Sequence, residues 1–174
     1  VRCKVLVEGS LDNAFARELM MGFGLLSVVI AALLLSRQKD VKRLFAYSSI
    51  EHMGIITFAF GMGGPVAAFA GLLHMTVHSL TKSAIFFTVG HASQITGTQD
   101  MDSIRGLIRQ SPAVGWGPAL GSLAILGMPP FGVFTSEFMM LTTAMHEHSW
   151  ATPLLLIALG IAFASIFSKV QPMV

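Results

Sequence analysis

A chain of 174 residues that is 53% hydrophobic and 11% charged, with a mean hydropathy of +0.71, is too apolar for an ordinary soluble domain and indicates a membrane protein. The net charge of +2 points to no charged partner, and the single cysteine, Cys3, excludes a disulfide framework or a cysteine-based metal cluster. The chain begins at Val1 without a signal-peptide pattern, so we expect a piece of a longer protein.

Five segments are candidates to cross a hydrocarbon core about 30 Å thick, which takes about 20 residues of helix. We predict an all-α integral membrane protein with a single membrane domain over residues 1–174. Asp12 fits the N-cap of the first helix, and Pro65 fits the first turn of the third. The five helices are expected at about residues 12–36, 44–60, 66–92, 112–145 and 152–169.

The fourth segment is too long for one straight span and is cut near its middle by the sequence GMPPFG at 127–132. Pro129 and Pro130 lack backbone donors, and Gly127 and Gly132 tolerate open backbone conformations. We therefore predict a discontinuous helix that is interrupted at Pro129-Pro130.

Basic residues predict the orientation of the chain in the membrane. The linker RQKDVKR at 37–43 carries four Lys or Arg residues, and the linker at 94–111 carries Arg105 and Arg109. If the helices alternate in direction, both linkers lie on one side, and the loops GMGGP and MHEHSW on the other side carry neither residue type. By the positive-inside rule, the two linkers face the cytoplasm.

The third helix contains an unusual row of ionisable residues, because its apolar sequence LLHMTVHSLTKSAIFF at 72–87 includes His74, His78 and Lys82. Residues four apart in a helix are offset by about 40°, so the three side chains form one slanting row. An ionisable group inside the membrane costs from about 2.5 to more than 10 kcal/mol, so water or a carboxylate must compensate for it. Histidine exchanges protons near neutral pH, and a desolvated lysine can also release one. A proton relay is the favoured interpretation.

Two other interpretations of this row stay open. The histidines could pair with backbone or hydroxyl groups while Lys82 only pins two helices together. A metal site at His74 and His78 would need a third ligand, which no nearby spacing in the sequence offers.

Two carboxylates are predicted at a comparable depth. Glu137 follows the GMPPFG break, where transporters place binding residues beside unwound backbone, so it is predicted to belong to the relay. Its alternative role is that of a hydrogen-bonded structural acid. Glu51, in the second helix, fits a relay role and a structural role equally well.

The remaining histidines are predicted to have lesser roles. His52 projects about 100° away from Glu51, so we expect it at a lipid headgroup or in packing. His91 is expected to mark the end of the third helix. His146 and His148 have a metal-like spacing, but they lie in a short exposed loop. We expect neither a metal nor a cofactor in this chain.

Three motifs, in this order and spacing, resemble the antiporter-like membrane subunits shared by respiratory complex I, multisubunit sodium/proton antiporters and membrane-bound hydrogenases. They are KDVKRLFAYSSIEHMG at 39–54, LLHMTVHSLTKSAIFF at 72–87 and GMPPFGVFTSEFMML at 127–141. The SSIEHMG sequence, the GTQDMDSIRGL linker and a Glu in the broken helix are most similar to the hydrogenase-4 component F type.

The resemblance implies a body of about fourteen helices with two inverted five-helix repeats, of which this chain is similar to the second. It implies that His74, His78 and Lys82 form the central relay and that Glu137 is the terminal ionisable residue of the broken helix. Glu51 stands at a position where complex I relatives often have an uncharged residue.

The implied function is proton translocation in a redox-driven complex of the hydrogenase-4 or NADH-quinone oxidoreductase type, in a bacterial or archaeal plasma membrane. The expected partners are other membrane subunits, the lipid bilayer and a peripheral hydrogenase or quinone-oxidoreductase arm with the redox centres, and not nucleic acid. This chain would then hold no cofactor and no active site of its own. The alternatives are a subunit of a multisubunit sodium/proton antiporter and a membrane scaffold without transport.

Overall fold

The computed structural model describes residues 13–174, and this part of the chain is helical with no strand. Cys3 and Asp12, the predicted N-cap, lie outside the described residues. The prediction of an all-α protein is confirmed. The helices are α1 Asn13–Ser36, α2 Val41–Met62, α3 Gly64–Thr96, α4 Leu107–Gln110, α5 Pro112–Ile125, α6 Gly132–Glu147 and α7 Thr152–Val170.

Local capping explains why α2 and α3 are longer than predicted. Asp40 caps α2, since its carboxylate accepts a hydrogen bond from the Arg43 amide at 3.0 Å. Helix α3 continues to Thr96 and ends at Gly97, which has a left-handed φ of 68°. The single turn α4 was not predicted.

The predicted interruption of the fourth segment lies between Ile125 and Gly132, where α5 ends and α6 begins. Gly127 lies inside this break with a left-handed φ of 65°, which favours glycine. The break therefore includes the proline pair that predicted it.

Among residues 13–174, two helices are long and apolar enough by themselves to cross a membrane, Ala14–Ser36 and Thr152–Val170. Helix α6 has 16 residues, or roughly 24 Å at 1.5 Å per residue, which is shorter than the hydrocarbon core. Helices α2 and α3 are long enough but carry ionisable residues along their length. Length and composition alone therefore identify two spans rather than the predicted five.

The outer surface of the bundle is apolar. Large hydrophobic side chains point outward, among them Phe23, Leu80 and Phe87, the last of which is 80% exposed. Ionisable side chains such as Lys82 are buried instead. This distribution is typical of a protein whose outer surface contacts lipid.

Close helix packing positions the middle of α2 and α3. A Cβ on Gly54 of α2 would lie 2.8 Å from the carbonyl oxygen of Gly24 in α1, so only small residues allow this crossing. A Cβ on Gly132, at the start of α6, would lie 2.8 Å from Val77 of α3. Helix α3 therefore packs between α2 and the interrupted segment.

The two basic linkers meet at one end of the bundle, as the alternating helix directions predict. The Val41 amide donates to the carbonyl of Gln99 at 3.0 Å, and the Met101 amide donates to that of Lys39 at 2.9 Å. Lys169 of α7 also reaches this end, where its ammonium donates to the carbonyl of Leu35 at 2.7 Å.

Candidate functional site

Six ionisable side chains meet in the interior of the bundle, two from α2, three from α3 and one from α6. The five predicted residues are all among them. Lys82 is 5% exposed and the Glu137 side chain 13%. The six are Glu51, His52, His74, His78, Lys82 and Glu137.

A hydrogen-bonded chain joins three helices at the centre of this cluster. His52 Nδ1 of α2 lies 2.9 Å from His74 Nε2 of α3. His74 Nδ1 lies 2.8 Å from Ser136 Oγ of α6. The backbone carbonyl of Ile125, at the end of α5, faces the His52 ring. The His74 imidazole is therefore hydrogen-bonded on both sides.

These partners are compatible with either direction of hydrogen bonding. A neutral imidazole has one N–H, so His74 either donates from Nε2 to His52 and accepts from the Ser136 hydroxyl, or donates from Nδ1 to Ser136 and accepts from His52. In the second case the Ser136 hydroxyl donates to the Val133 carbonyl at 2.9 Å. A chain with these two states can pass a proton and reverse its direction.

Glu137 lies beside this chain, with its Oε1 3.8 Å from His52 Nδ1. Its other oxygen occupies the place that a side chain on Gly127 would take. Glycine therefore suits position 127 for two reasons. The backbone there is left-handed, and a side chain would collide with the Glu137 carboxylate.

Lys82 contacts the backbone of α2. Its ammonium donates to the carbonyl of Phe45 at 2.8 Å and lies 5.4 Å from the centre of the Phe45 ring. Glu51 is close enough to interact with it electrostatically. This geometry ties α3 to α2, as the helix-pin interpretation requires.

His78 stands between Lys82 and the hydrogen-bonded histidines. Its ring centre lies 5.1 Å from that of His52 and 6.3 Å from that of His74. Both ring nitrogens are buried and form no hydrogen bond within residues 13–174. A proton link through His78 therefore requires bridging water.

A cavity of about 290 Å³ adjoins the cluster and is lined by Glu51, His52 and Glu137 together with apolar residues of α5 and α7. A water molecule takes about 30 Å³ of liquid volume, so several fit in this space beside the carboxylates. Glu51 and Glu137 thus share access to one cavity.

The expectation that His52 lies at a lipid headgroup is wrong, since it is 3% exposed. It packs against His74 and His78, as the alternative expectation had it, and it is also hydrogen-bonded to His74. Helix α2 is packed against α1, α3 and α6, so a rotation of about 100° from Glu51 still points inward. The sequence signal that could have identified His52 was its position next to Glu51 in an apolar segment. His91 and His146 are exposed, and neither they nor His148 join the cluster.

Comparison with known proteins identifies relatives of the whole bundle. Residues 1–164 match the family described as NADH:quinone oxidoreductase/Mrp antiporter, TM. A hydrogenase-4 component F homolog from Methylacidiphilum infernorum (isolate V4) is 49% identical, over 97% of this chain and 36% of the relative.

Two solved structures contain a similar fold. One is the membrane-bound sulfane sulfur reductase, an archaeal respiratory membrane complex, with a TM-score of 0.87 and 30% identity over 94% of this chain and 34% of that chain. The other is respiratory complex I from Thermus thermophilus, with a TM-score of 0.85 and 26% identity over 92% of this chain and 34% of that chain.

This chain spans about a third of the length of these relatives. The matched region nevertheless covers nearly all of the chain and includes the three motifs that carried the resemblance. The resemblance is confirmed, and the chain belongs to the membrane family of NADH:quinone oxidoreductase and Mrp antiporter subunits.

Proposed function

We propose that this chain is the proton-conducting part of a membrane subunit in a redox-driven complex, of the hydrogenase-4 or NADH-quinone oxidoreductase type. The proposal rests on the hydrogen-bonded chain of His52, His74 and Ser136 beside Glu137, at the point where the α5–α6 helix is interrupted. Membership of the family supports it. Its partners would be further membrane subunits and a peripheral redox arm.

We infer five spans in a bacterial or archaeal plasma membrane, with α5 and α6 together forming the fourth. Pro112 to Glu147 is long enough to cross the bilayer despite the break. The linkers 37–43 and 94–111 would face the cytoplasm, because they meet at one end and carry the basic residues. This arrangement corresponds to the second of two inverted repeats.

The transfer uses the side chains as follows. Charge that arrives in an adjacent subunit changes the proton affinity of Lys82, and water beside His78 carries its proton to His74. His74 Nε2 then passes a proton to His52 Nδ1, which also faces Glu137 Oε1. Glu137 receives the proton or releases it to the cavity. The trigger is electrostatic and needs no large helix movement.

Lys82→Arg tests this function, because arginine keeps the positive charge but does not release its proton under ordinary conditions. We expect redox-driven acidification of inverted vesicles, followed with a pH-sensitive dye, to be lost while the complex still assembles. Lys39→Arg, on an exposed linker, is the matched control and should behave as wild type. Normal acidification in Lys82→Arg would instead support the helix pin.

A second candidate function is sodium/proton antiport. It is favoured by the family description, which includes Mrp antiporters, and by the two carboxylates that line one cavity. An antiporter should move protons across vesicles when sodium is added, without any redox partner. A redox-driven pump should work in sodium-free buffer. A scaffold would assemble and leave coupled proton transfer unchanged when Lys82 and Glu137 are both neutralised.

A further inference from the structure

We propose that His52, His74 and Glu137 form a buried binding site for a divalent transition-metal cation of the zinc class. The three side chains come from α2, α3 and α6, and each places one ligand atom within 4.8 Å of the other two. Two imidazoles and one carboxylate are a ligand set that zinc uses in proteins. Metal binding at these three residues does not depend on the proposed function. An effect of the metal on proton transfer rests on that function.

The distances suit a tetrahedral ion. Zinc bonds of about 2.0–2.1 Å place two ligand atoms roughly 3.4 Å apart. His52 Nδ1 lies 2.9 Å from His74 Nε2 and 3.8 Å from Glu137 Oε1, so the two separations lie on either side of that value. Small side-chain rotations would be enough to centre an ion among the three atoms.

The outer nitrogen of His74 already has a hydrogen-bond partner. With a metal on His52 Nδ1 and His74 Nε2, the opposite nitrogens must carry the protons. His74 then donates to Ser136 Oγ, whose own proton can go to the Val133 carbonyl at 2.9 Å. Such an outer partner orients a histidine ligand in a metal site and sets its tautomer.

The surroundings offer water as a fourth ligand and carboxylates whose charge is opposite to that of the ion. The adjoining cavity lets water reach the open coordination position, and Glu51 lines it with a second carboxylate. The two carboxylates offset the charge of the ion and of Lys82. Imidazole ligands favour zinc, cobalt or copper over magnesium and calcium, which prefer oxygen.

Metal binding would replace the proton that His52 and His74 share. If the proposed function holds, the bound ion therefore interrupts the relay between α3 and Glu137, so zinc should inhibit proton translocation.

Cobalt(II) is a suitable probe, because tetrahedral coordination by imidazole and carboxylate gives visible absorption. The full protein, purified in detergent with its accompanying subunits, is titrated with cobalt and then with zinc. Wild type should bind one equivalent more than His52→Gln or Glu137→Gln, and zinc should remove the absorption. His146→Gln, which changes an exposed histidine outside the cluster, should match wild type. Equal stoichiometry in wild type and the two site variants would overturn the site.

A measurement on the wild-type protein tests the site even if the variants fail to fold. X-ray absorption of protein loaded with one equivalent of zinc should show two imidazoles in the coordination shell. A shell without imidazole would overturn the site. If the extra equivalent binds but Lys82→Arg still translocates protons, the metal site stands and the relay fails. If Lys82→Arg abolishes translocation and the stoichiometries are equal, the relay stands and the metal site fails.

Discussion

At the scale of single residues, the proposed proton transfer depends on the hydrogen-bond partners of His74. His74 contacts His52 on one side and Ser136 on the other, at 2.9 and 2.8 Å. The Ser136 hydroxyl is the smallest member of the chain and carries no charge. It decides which nitrogen of His74 is protonated, because it can donate to His74 or to the Val133 carbonyl.

Ser136→Ala should therefore impair proton transfer without removing a charge. It leaves His74 Nδ1 buried without its partner, which costs about 1–3 kcal/mol of folding free energy. We expect slower redox-driven acidification of vesicles and a lower midpoint of thermal unfolding. Ser79→Ala removes a hydroxyl that bonds the Met75 carbonyl on an exposed helix surface, and should change neither. Equal rates in both variants would remove Ser136 from the path.

At the scale of elements, the interruption between α5 and α6 exposes backbone groups that a continuous helix would use in its own hydrogen bonds. The carbonyl of Ile125 is free to face His52, because the helix stops there. Gly127 lets the chain turn and leaves room for the Glu137 carboxylate. The break therefore positions two groups of the site at once.

Gly127→Ala should be damaging for both reasons. Its left-handed φ of 65° disfavours a side chain, and the new methyl group would displace the Glu137 carboxylate. We expect a loss of roughly 1 kcal/mol or more of stability and a severalfold slower proton transfer. In Gly90→Ala, within α3, the methyl group meets no neighbour, and the substitution should be neutral or stabilising in thermal unfolding. Two variants of equal stability and rate would contradict this account.

At the scale of the whole molecule, large apolar side chains lie on the outside of the helices, while the ionisable side chains of the cluster lie inside the bundle. Burial of this kind needs the surrounding helices, since α2 and α3 carry the charged groups while α1 and α7 are the strongly apolar spans. The two linkers that carry most of the basic residues join at one end through the Val41 amide and the Gln99 carbonyl. That end is the one we assign to the cytoplasm.

Cysteine labelling tests the orientation. In a Cys3→Ser background, Ser103→Cys lies in the linker at the basic end, and Ser149→Cys lies in the loop at the opposite end. A membrane-impermeant maleimide should label Ser103→Cys in inverted vesicles and Ser149→Cys in intact cells or right-side-out vesicles. The reverse pattern would show that the chain is inserted the other way.

Local sequence rules were sufficient for much of this protein. The length of the apolar runs, the prolines at helix starts and the pair at Pro129-Pro130 predicted the main helices and the break, because each depends on residues close in the chain. The four-residue spacing on α3 predicted that His74, His78 and Lys82 share an inward face, and all three are buried. Three motifs were enough to recognise the family.

Only the tertiary structure decided which side chains meet. His52 and His74 are 22 residues apart, and His74 and Ser136 are 62 apart. Helical periodicity defines the faces of one helix but not the rotation of one helix against another, so it missed His52 and offered no third ligand beside His74. Glycines at the helix crossings set those rotations, because they let the backbones of α1 and α2 approach closely and bring α3 against α6.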